Sequence, residues 1–448
     1  MSTTTTTTQV KEIHCVEMES NVSSQGSTLK SASLHGLEQE AEVEKVTPPK
    51  PLWIRVRQTA WQLFVKYWFL LGLAFVIGLA WAIPTVGKSY GSIQAQYTVK
   101  WGAVIVIFLL SGLGLDVKVM LRTILRWRLH LYVQVINFLI LPFLAWGIVR
   151  FFIIVGAHID EMVYQGWIIA LSTSTTVSSN SVMTRNANGN DGAAVFNAAL
   201  GNVLGIFISP ALMTIFGDDR ILFPPGSARG KPDYIKVLFQ LGLTVLVPLV
   251  VGQVIRFLFP KQIKYLSAKL KFPIINSIAL LIMVWSVFCD GVASDAFHQL
   301  SGVDIVAIIG VDIFLYLFGC ALCLFVCRLP WPQRYGEPTW LDRYRLSRKD
   351  AAAVMYCGAT KTVSMGIPLI NVLYSGTSAG VVGVLSLPLL MYHICQLFIG
   401  NFQVSLLKKW IQKGEDEDSR TVHEQQSQVN ETQSLPSFTT RRRTVSDE

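Results

Sequence analysis

Apolar residues fall along the chain in long blocks separated by short polar turns. Ten blocks follow one another, at about 67–84, 97–115, 131–155, 163–183, 191–216, 234–258, 273–292, 303–327, 350–373 and 379–406. Each approaches the length a helix needs to cross a bilayer core, so the pattern predicts an all-α polytopic membrane protein with ten transmembrane helices. The fourth and ninth blocks are the least hydrophobic. Ten crossings divide into two sets of five, and an odd number of crossings turns the second set over relative to the first. A weak block in fourth place within each set predicts two inverted five-helix repeats. Pro210 and Pro388 in the fifth and tenth blocks echo this arrangement, as do TTVSSNSVMT in the fourth and ATKTVSMG in the ninth.

The two ends read differently. Residues 1–50 and 411–448 are polar and low in complexity, with too few large apolar side chains to offset the entropy of ordering. They are expected to be flexible cytosolic tails around a membrane domain at 51–410. The first fifty residues contain no apolar signal-peptide core, so targeting falls to the first span. Composition agrees: 51% of the 448 residues are hydrophobic and 15% charged, with mean hydropathy +0.44, which excludes a water-soluble globule.

A net charge of +9 would suggest nucleic acid if the basic residues formed one patch, but they sit in short blocks beside apolar segments. Lys118, Arg122, Arg126 and Arg128 follow the second span. Lys261, Lys264, Lys269 and Lys271 follow the sixth, and Arg328, Arg334, Arg343, Arg345, Arg348 and Lys349 follow the eighth. The positive-inside rule makes these loops cytosolic and places both termini in the cytosol. The loop after the fifth span mixes Arg220, Arg229 and Lys231 with Asp218, Asp219 and Asp233, and its charge decides nothing. The glycosylation sequons at Asn21 and Asn430 are then cytosolic and expected to carry no sugar. Span length and Trp content fit the plasma membrane and also admit Golgi or endoplasmic reticulum. RRRTVSDE near the C-terminus offers Thr444 and Ser446 as phosphorylation sites for a basophilic kinase.

Chemistry concentrates in the weak spans. The fourth carries Ser172, Thr173, Ser174, Thr175, Thr176, Ser178, Ser179, Asn180 and Ser181, which favours a broken helix whose freed carbonyls and hydroxyls meet a cation or polar solute. A hydroxyl-rich helix interface is the structural alternative. Asn137, Asn197 and Asn202 are expected to face the same interior. In the ninth span, CGATKTVSMGIPLIN brackets Lys361 between Gly358 and Gly366 and places Pro368 beyond it. An intramembrane charge is costly, so Lys361 requires a counter-charge, a carbonyl cage or a bound anion. Asp312 in the eighth span is the expected protein partner, and the pair may equally be read as structural.

Cys320, Cys323 and Cys327 share one helix face, but with neither His nor a fourth Cys nearby they read as packing residues rather than a metal site. His393 and Gln396, one turn apart in LPLLMYHICQ, can line a cavity or be satisfied in the interior. No HExxH, GxSxG, P-loop, paired carboxylates or EF-hand loop is present, and no enzyme, metal or cofactor is expected.

Together these residues resemble the bile acid:sodium symporter family, solute carrier family ten, over the region from about 67 to 410. NFLILPFLAW at 137–146, SNSVMT at 179–184 followed by Gly189 and Asn190, Ser209-Pro210 and VPLVVGQVIR at 247–256 carry the likeness. KTVSMGIPLINVLYSG and LSLPLLMYHICQLFIG, between 361 and 400, resemble its divergent seventh-member branch, which includes the fungal regulator of calcium homeostasis. The resemblance implies a panel of spans one, two, six and seven and a core of spans three to five and eight to ten, with broken spans four and nine crossing at the site. Taken with the residues singled out above, it gives a candidate ion- or substrate-contact set of Asn137, Thr176, Ser179, Asn180, Ser181, Thr184, Asn197, Asn202, Asp312, Tyr356, Thr360, Lys361 and Thr362.

The chain departs from the family at the sodium ligands. Asn137 stands where a Gln is expected, Ala194, Ala198 and Ala199 occupy ligand positions of span five, Tyr356 replaces a Glu, and Thr360 with Lys361 replaces Gln-Asn. A fixed ammonium beside a sodium ion would repel it, so sodium coupling is disfavoured. The resemblance therefore implies a transporter-fold protein that restrains calcium influx, with an unidentified solute for which an anion is one candidate class. Two other classes remain: a sodium/organic-anion symporter, and a non-transporting scaffold that acts on a calcium channel through the cytosolic tails.

Overall fold

The computed structural model describes residues 52–114, 123, 125–223, 234–329, 345–374, 377 and 379–433. The chain divides into two compact units, residues 1–66 and 67–448; of the first, only the helical stretch from Leu52 is described. The N-terminal tail to residue 51, loop charges Lys118, Arg122, Arg229, Lys231, Asp233, Arg334 and Arg343, and the Thr444 and Ser446 sites lie outside the described residues.

Every regular element among the described residues is helical. In chain order these are α1 (Leu52–Ala82), α2 (Ala95–Gly114), α3 (Trp127–Val155), α4 (Glu161–Ser172), α5 (Ser178–Asn186), α6 (Asp191–Gly217) and α7 (Tyr234–Leu258). There follow α8 (Pro260–Leu270), α9 (Phe272–Ala293), α10 (Gly302–Cys327), α11 (Arg348–Ala359), α12 (Val363–Leu373) and α13 (Ala379–Gln433). Seven of them, α2, α3, α6, α7, α9, α10 and α13, are long and apolar enough to cross a membrane. Three expected spans do not meet that description. The first is a shorter apolar helix at Tyr67–Ala82, the fourth is divided between α4 and α5, and the ninth between α11 and α12.

The reason for the divisions is local. Residues 173–177 and 360–362 are non-helical, and both segments are rich in Thr and Ser, whose hydroxyls compete with the helical ladder for backbone partners. The two segments are joined directly, because Thr362 N–H donates to the Ser174 carbonyl at 2.8 Å. Three spans carry a π-helical turn instead of a break: Thr98–Ala103 in α2, Ile136–Ile140 in α3 and Gly242–Leu246 in α7. The second and third are followed two residues later by Pro142 and Pro248, whose missing N–H groups leave the preceding carbonyls short of a ladder partner.

Packing is closest where side chains are absent. A Cβ on Gly252 in α7 would stand 3.0 Å from the Leu113 nitrogen and 3.1 Å from Gly112 Cα in α2, so backbone meets backbone there, as small residues permit between membrane helices. Arg256 Nη1 extends the seam by donating to the Leu113 carbonyl at 3.2 Å. Near the other end of α2, Asp290 is buried and accepts from Ser89 N–H and Oγ at 2.6 and 2.8 Å, with Lys100 Nζ at 3.4 Å. Cys323 in α10 packs at Gly358, where an added Cβ would be 2.7 Å from its sulfur, in keeping with a packing role.

One expectation is corrected. Residues 411–433, assigned above to a flexible tail, continue α13 without interruption. Their polarity does not prevent helix formation, because cations at the start of α11 receive their carboxylates. Arg348 Nη2 meets Glu417 at 2.5 Å and Lys349 Nζ meets Glu415 at 2.5 Å. Arg348 also lies over the Trp410 ring at 5.5 Å and donates to the Trp410 carbonyl at 2.8 Å. Half-exposed pairs of this kind contribute about 0–1 kcal/mol each, and their number holds the extension beside α11. Asp350 ties the same helix end to two more segments, accepting from Arg126 Nη1 at 2.9 Å and from Asn190 Nδ2 at 2.7 Å.

The α2–α7 seam makes a prediction. Gly252→Ala forces two backbones apart and is expected to cost about 1–3 kcal/mol, read as a lowered thermal midpoint of the detergent-purified protein. Gly147→Ala, in α3 with nothing within 4 Å of the new carbon, is expected to leave the midpoint unchanged or slightly raised. Equal midpoints for the two variants would contradict the packing.

Candidate functional site

The site forms where the two non-helical segments meet α3, α6 and α13. Lys361 sits between the end of α11 and the start of α12, and its side chain is 0% exposed. Its Nζ donates to the Asn137 carbonyl at 2.6 Å and to the Thr173 carbonyl at 3.0 Å, and lies 5.9 Å from the centre of the Phe138 ring. Each acceptor is available for a structural reason. Asn137 is the second residue of the π-turn in α3, and Thr173 is the C-cap of α4. The C-terminal end of a helix carries roughly half a negative charge. Lys361 also follows Thr360, the C-cap of α11, so its side chain links the end of α11 to the end of α4.

The expected ion pair with Asp312 is corrected. Among the described residues no carboxylate lies within ion-pair distance of Lys361. Asp312 is buried on α10, accepts from Trp167 Nε1 at 3.1 Å, and its second oxygen has no hydrogen-bond partner. Of the three ways to accommodate the lysine, the carbonyl cage is the one present. Carbonyls are freed here by the breaks and the π-turn, whereas a carboxylate on α10 is already directed at the indole of α4.

Asn137 serves the site twice. Besides its carbonyl, its Nδ2 donates to the carbonyls of Gly358 at 3.2 Å and Thr360 at 3.0 Å, closing the open end of α11. Gln396 of α13 secures the lysine backbone from the other side: Oε1 accepts from Lys361 N–H and Nε2 donates to the Lys361 carbonyl, both at 2.8 Å. His393 Nδ1 lies 2.7 Å from Gln396 Nε2. Tyr392 OH donates to the Ala359 carbonyl at 2.6 Å. The backbone around the lysine is thus held on both sides by buried side chains.

A second set of contacts joins the two breaks. Asn180 Nδ2 donates to the hydroxyls of Thr175 at 2.7 Å and Thr360 at 2.8 Å, and these hydroxyls are 2.8 Å from each other. Asn180 Oδ1 accepts from Thr176 Oγ1 at 3.1 Å, and Thr176 is also bonded to Ser179. Ser174 Oγ donates to Asn202 Oδ1 on α6 at 2.6 Å. Gly205 permits this approach, since a Cβ there would be 3.0 Å from Ser174 Cβ.

The sequence-derived set therefore separates. Asn137, Thr176, Ser179, Asn180, Asn202, Thr360, Lys361 and Thr362 belong to the junction. Tyr356 contributes its carbonyl, which accepts from Thr360 Oγ1 at 2.7 Å, while its phenol turns away and donates to the Gly400 carbonyl at 3.1 Å. Thr184 is buried at the turn into α6, against the Gly189 position, and Ser181 is half-buried. Asn197 bonds His130 Nδ1 at 3.0 Å and the Ala193 carbonyl at 2.9 Å instead of facing the lysine. Sequence reasoning gave no role here to Phe138 or Tyr392, and read Gln396 with His393 only as a candidate cavity lining. The spacing of Tyr392, His393 and Gln396 on a Pro-containing apolar helix was the available signal.

Because Asn137→Leu leaves the residue 137 carbonyl in place but strips the donor from the end of α11, it is expected to destabilise the purified protein by about 1–3 kcal/mol. Ser181→Ala, outside the junction, should change stability little. Chemical or thermal unfolding compares the two, and equal stabilities would contradict the role given to the Asn137 amide.

Similarity to known proteins points the same way. The chain is 36% identical to the solute carrier RCH1 of Candida albicans over 370 residues, covering 78% of this chain and 89% of that protein. The solute carrier RCH1 of Saccharomyces cerevisiae is 37% identical over 377 residues, 78% of this chain and 86% of its own length. The sodium/bile acid cotransporter 7 of Danio rerio is 29% identical over 346 residues, covering 77% and 95% respectively. The family model of the SBF-like CPA transporters matches residues 67–409, which take in all the spans and every element of the lysine junction. The chain is a membrane protein and belongs to the SBF-like CPA transporter family.

Proposed function

We propose that this protein is a transporter-fold regulator of cellular calcium, restraining calcium influx without coupling to sodium, and that the Lys361 amino group stands where sodium-coupled relatives hold an ion. In this reading α4 with α5 and α11 with α12 are the two broken helices of an inverted-repeat core, facing a panel of α1, α2, α7 and α9. Both termini lie in the cytosol, with the plasma membrane as the site of action. The observation that carries the reading is the cage of the Asn137 and Thr173 carbonyls around a fully buried Lys361 nitrogen.

Physical chemistry supports it. Unwound carbonyls and half-helix C-termini are the groups with which transporters bind cations in mid-membrane. Here the cation is covalently attached and cannot be released. A sodium ion about 4 Å away would be repelled by about 4 kcal/mol at an effective dielectric of 20, and the chain supplies no carboxylate at Tyr356 to offset that. Helices α5 and α12 begin at the same junction, and their first residues lack side-chain caps. Their N-terminal ends favour negative charge, so the solute is anionic, drawn by Lys361 and by these ends together. The likeness to the two fungal solute carriers supports the transporter fold, and the calcium role follows from the resemblance of the 361–400 segments to the seventh-member branch.

Calcium uptake in cells lacking the protein tests the reading. Wild type is expected to lower uptake, Lys361→Gln to lose most of that restraint, Lys361→Arg to retain part of it, and removal of residues 434–448 to retain it, all at matched surface expression. If Lys361→Gln restrains uptake as well as wild type while the truncation does not, the protein acts through its tail as a scaffold and the proposal fails.

A further inference from the structure

Between two membrane spans, α8 forms an 11-residue helix of its own, PKQIKYLSAKL. It starts two residues after α7 ends at Leu258, and α9 starts two residues after α8 ends at Leu270. The joint into α9 is Lys271, held in the left-handed region at φ 50°, a conformation uncommon for a residue with a side chain. Helices α7 and α9 are both long and apolar enough to cross a membrane, so the connector lies at a membrane surface.

The side chains of α8 sort by angle around its axis. Ile263, Leu266 and Leu270 recur at i, i+3 and i+7 and form one stripe. Ile263 is buried against Leu113 of α2 and Phe272 of α9. Leu266 and Leu270 remain 37% and 47% exposed, near in sequence to the exposed Phe257, Leu258 and Phe259 at the end of α7, whereas Tyr265 lies on the lysine side with the Lys269 ammonium over its ring at 5.9 Å. Lys261, Lys264 and Lys269 point away from that stripe, and Lys271 follows; all four are exposed. Among the described residues no carboxylate pairs with any of them. From Tyr234 to Cys289 the chain contains no acidic residue at all.

We infer that α8 is a binding surface for anionic phospholipid headgroups. Exposed Leu and Phe side chains beside four ammonium groups that have no carboxylate partner suit a layer with an apolar interior and a negatively charged rim, and an amphipathic helix with this arrangement lies in the interface plane. An acidic protein would satisfy the lysines and leave the exposed Leu266, Leu270 and Phe257 to Phe259 without a partner. Because α8 packs on α7 and α9 and reaches α2 through Ile263, the lipid layer would hold this group of helices at the bilayer surface.

Native mass spectrometry of the purified full-length protein, with phosphatidylserine or phosphatidylcholine added, tests the inference. Phosphatidylserine should be retained preferentially, and the preference should fade as salt is raised. Lys261, Lys264, Lys269 and Lys271 changed together to Gln should weaken retention, by on the order of fivefold per lysine at low salt. Lys408→Gln with Lys409→Gln, on the exposed face of α13, should leave it unchanged. Equal retention of the two lipids, a preference insensitive to salt in the wild-type protein, or equal loss in the α13 variant would each overturn the assignment. The salt titration requires no variant, so it decides the matter even if the fourfold change disturbs folding.

Discussion

A buried amino group in the middle of a membrane needs acceptors, and in this protein two backbone carbonyls provide them. Lys361 Nζ reaches Asn137 at 2.6 Å and Thr173 at 3.0 Å, and both carbonyls are free only because a helix has been interrupted or widened nearby. Removing a charge from water costs several kcal/mol after relaxation, so the arrangement must be held in place by the rest of the core. Asn137 closes the end of α11, Gln396 grips the lysine backbone, and Asn180 links the Thr175 and Thr360 hydroxyls across the two breaks. Each of these side chains is buried and committed to backbone or hydroxyl partners, which makes the junction one polar unit inside an apolar bundle.

This arrangement has a consequence for mechanism. In a site that binds a free cation, the ion can leave, and its departure lets the helix ends separate. A covalently attached ammonium keeps the ends of α4 and α11 together through every conformational state in which the cage survives. The start of α11 is tied as well, with Asp350 bound to Arg126 and Asn190, and Arg348 and Lys349 bound to the extension of α13. A solute that competes for Lys361 would therefore act on a helix restrained at both ends.

Much of this was legible from residue types. The long apolar blocks mark the spans, and the hydroxyl-rich fourth and ninth blocks mark where regular helix gives way. A lone lysine among apolar residues, bracketed by glycines, identifies itself as a special site. Its partner was not legible. Asp312 is the only deep carboxylate on a neighbouring span, yet rotation about the axis of α10 turns it toward Trp167, and such rotation is set by packing rather than by local sequence. The π-turn at Ile136–Ile140 was hidden for a similar reason: it depends on Pro142 and on the tertiary demand for a free carbonyl, and INFLI by itself reads as ordinary helix. The continuation of α13 past residue 411 was missed because composition alone ignores the cations on α11 that receive its carboxylates. Gln396 read as a residue that could line a cavity, and its partners are the backbone of the site itself.

The central claim is that a lysine nitrogen occupies a cation position, and sodium-dependent thermal stabilisation of the purified protein measures this most directly. Wild type is expected to unfold at the same temperature in sodium, lithium or choline chloride of equal ionic strength. Saturable stabilisation of the wild-type protein by millimolar sodium, absent with lithium and choline, would contradict the account.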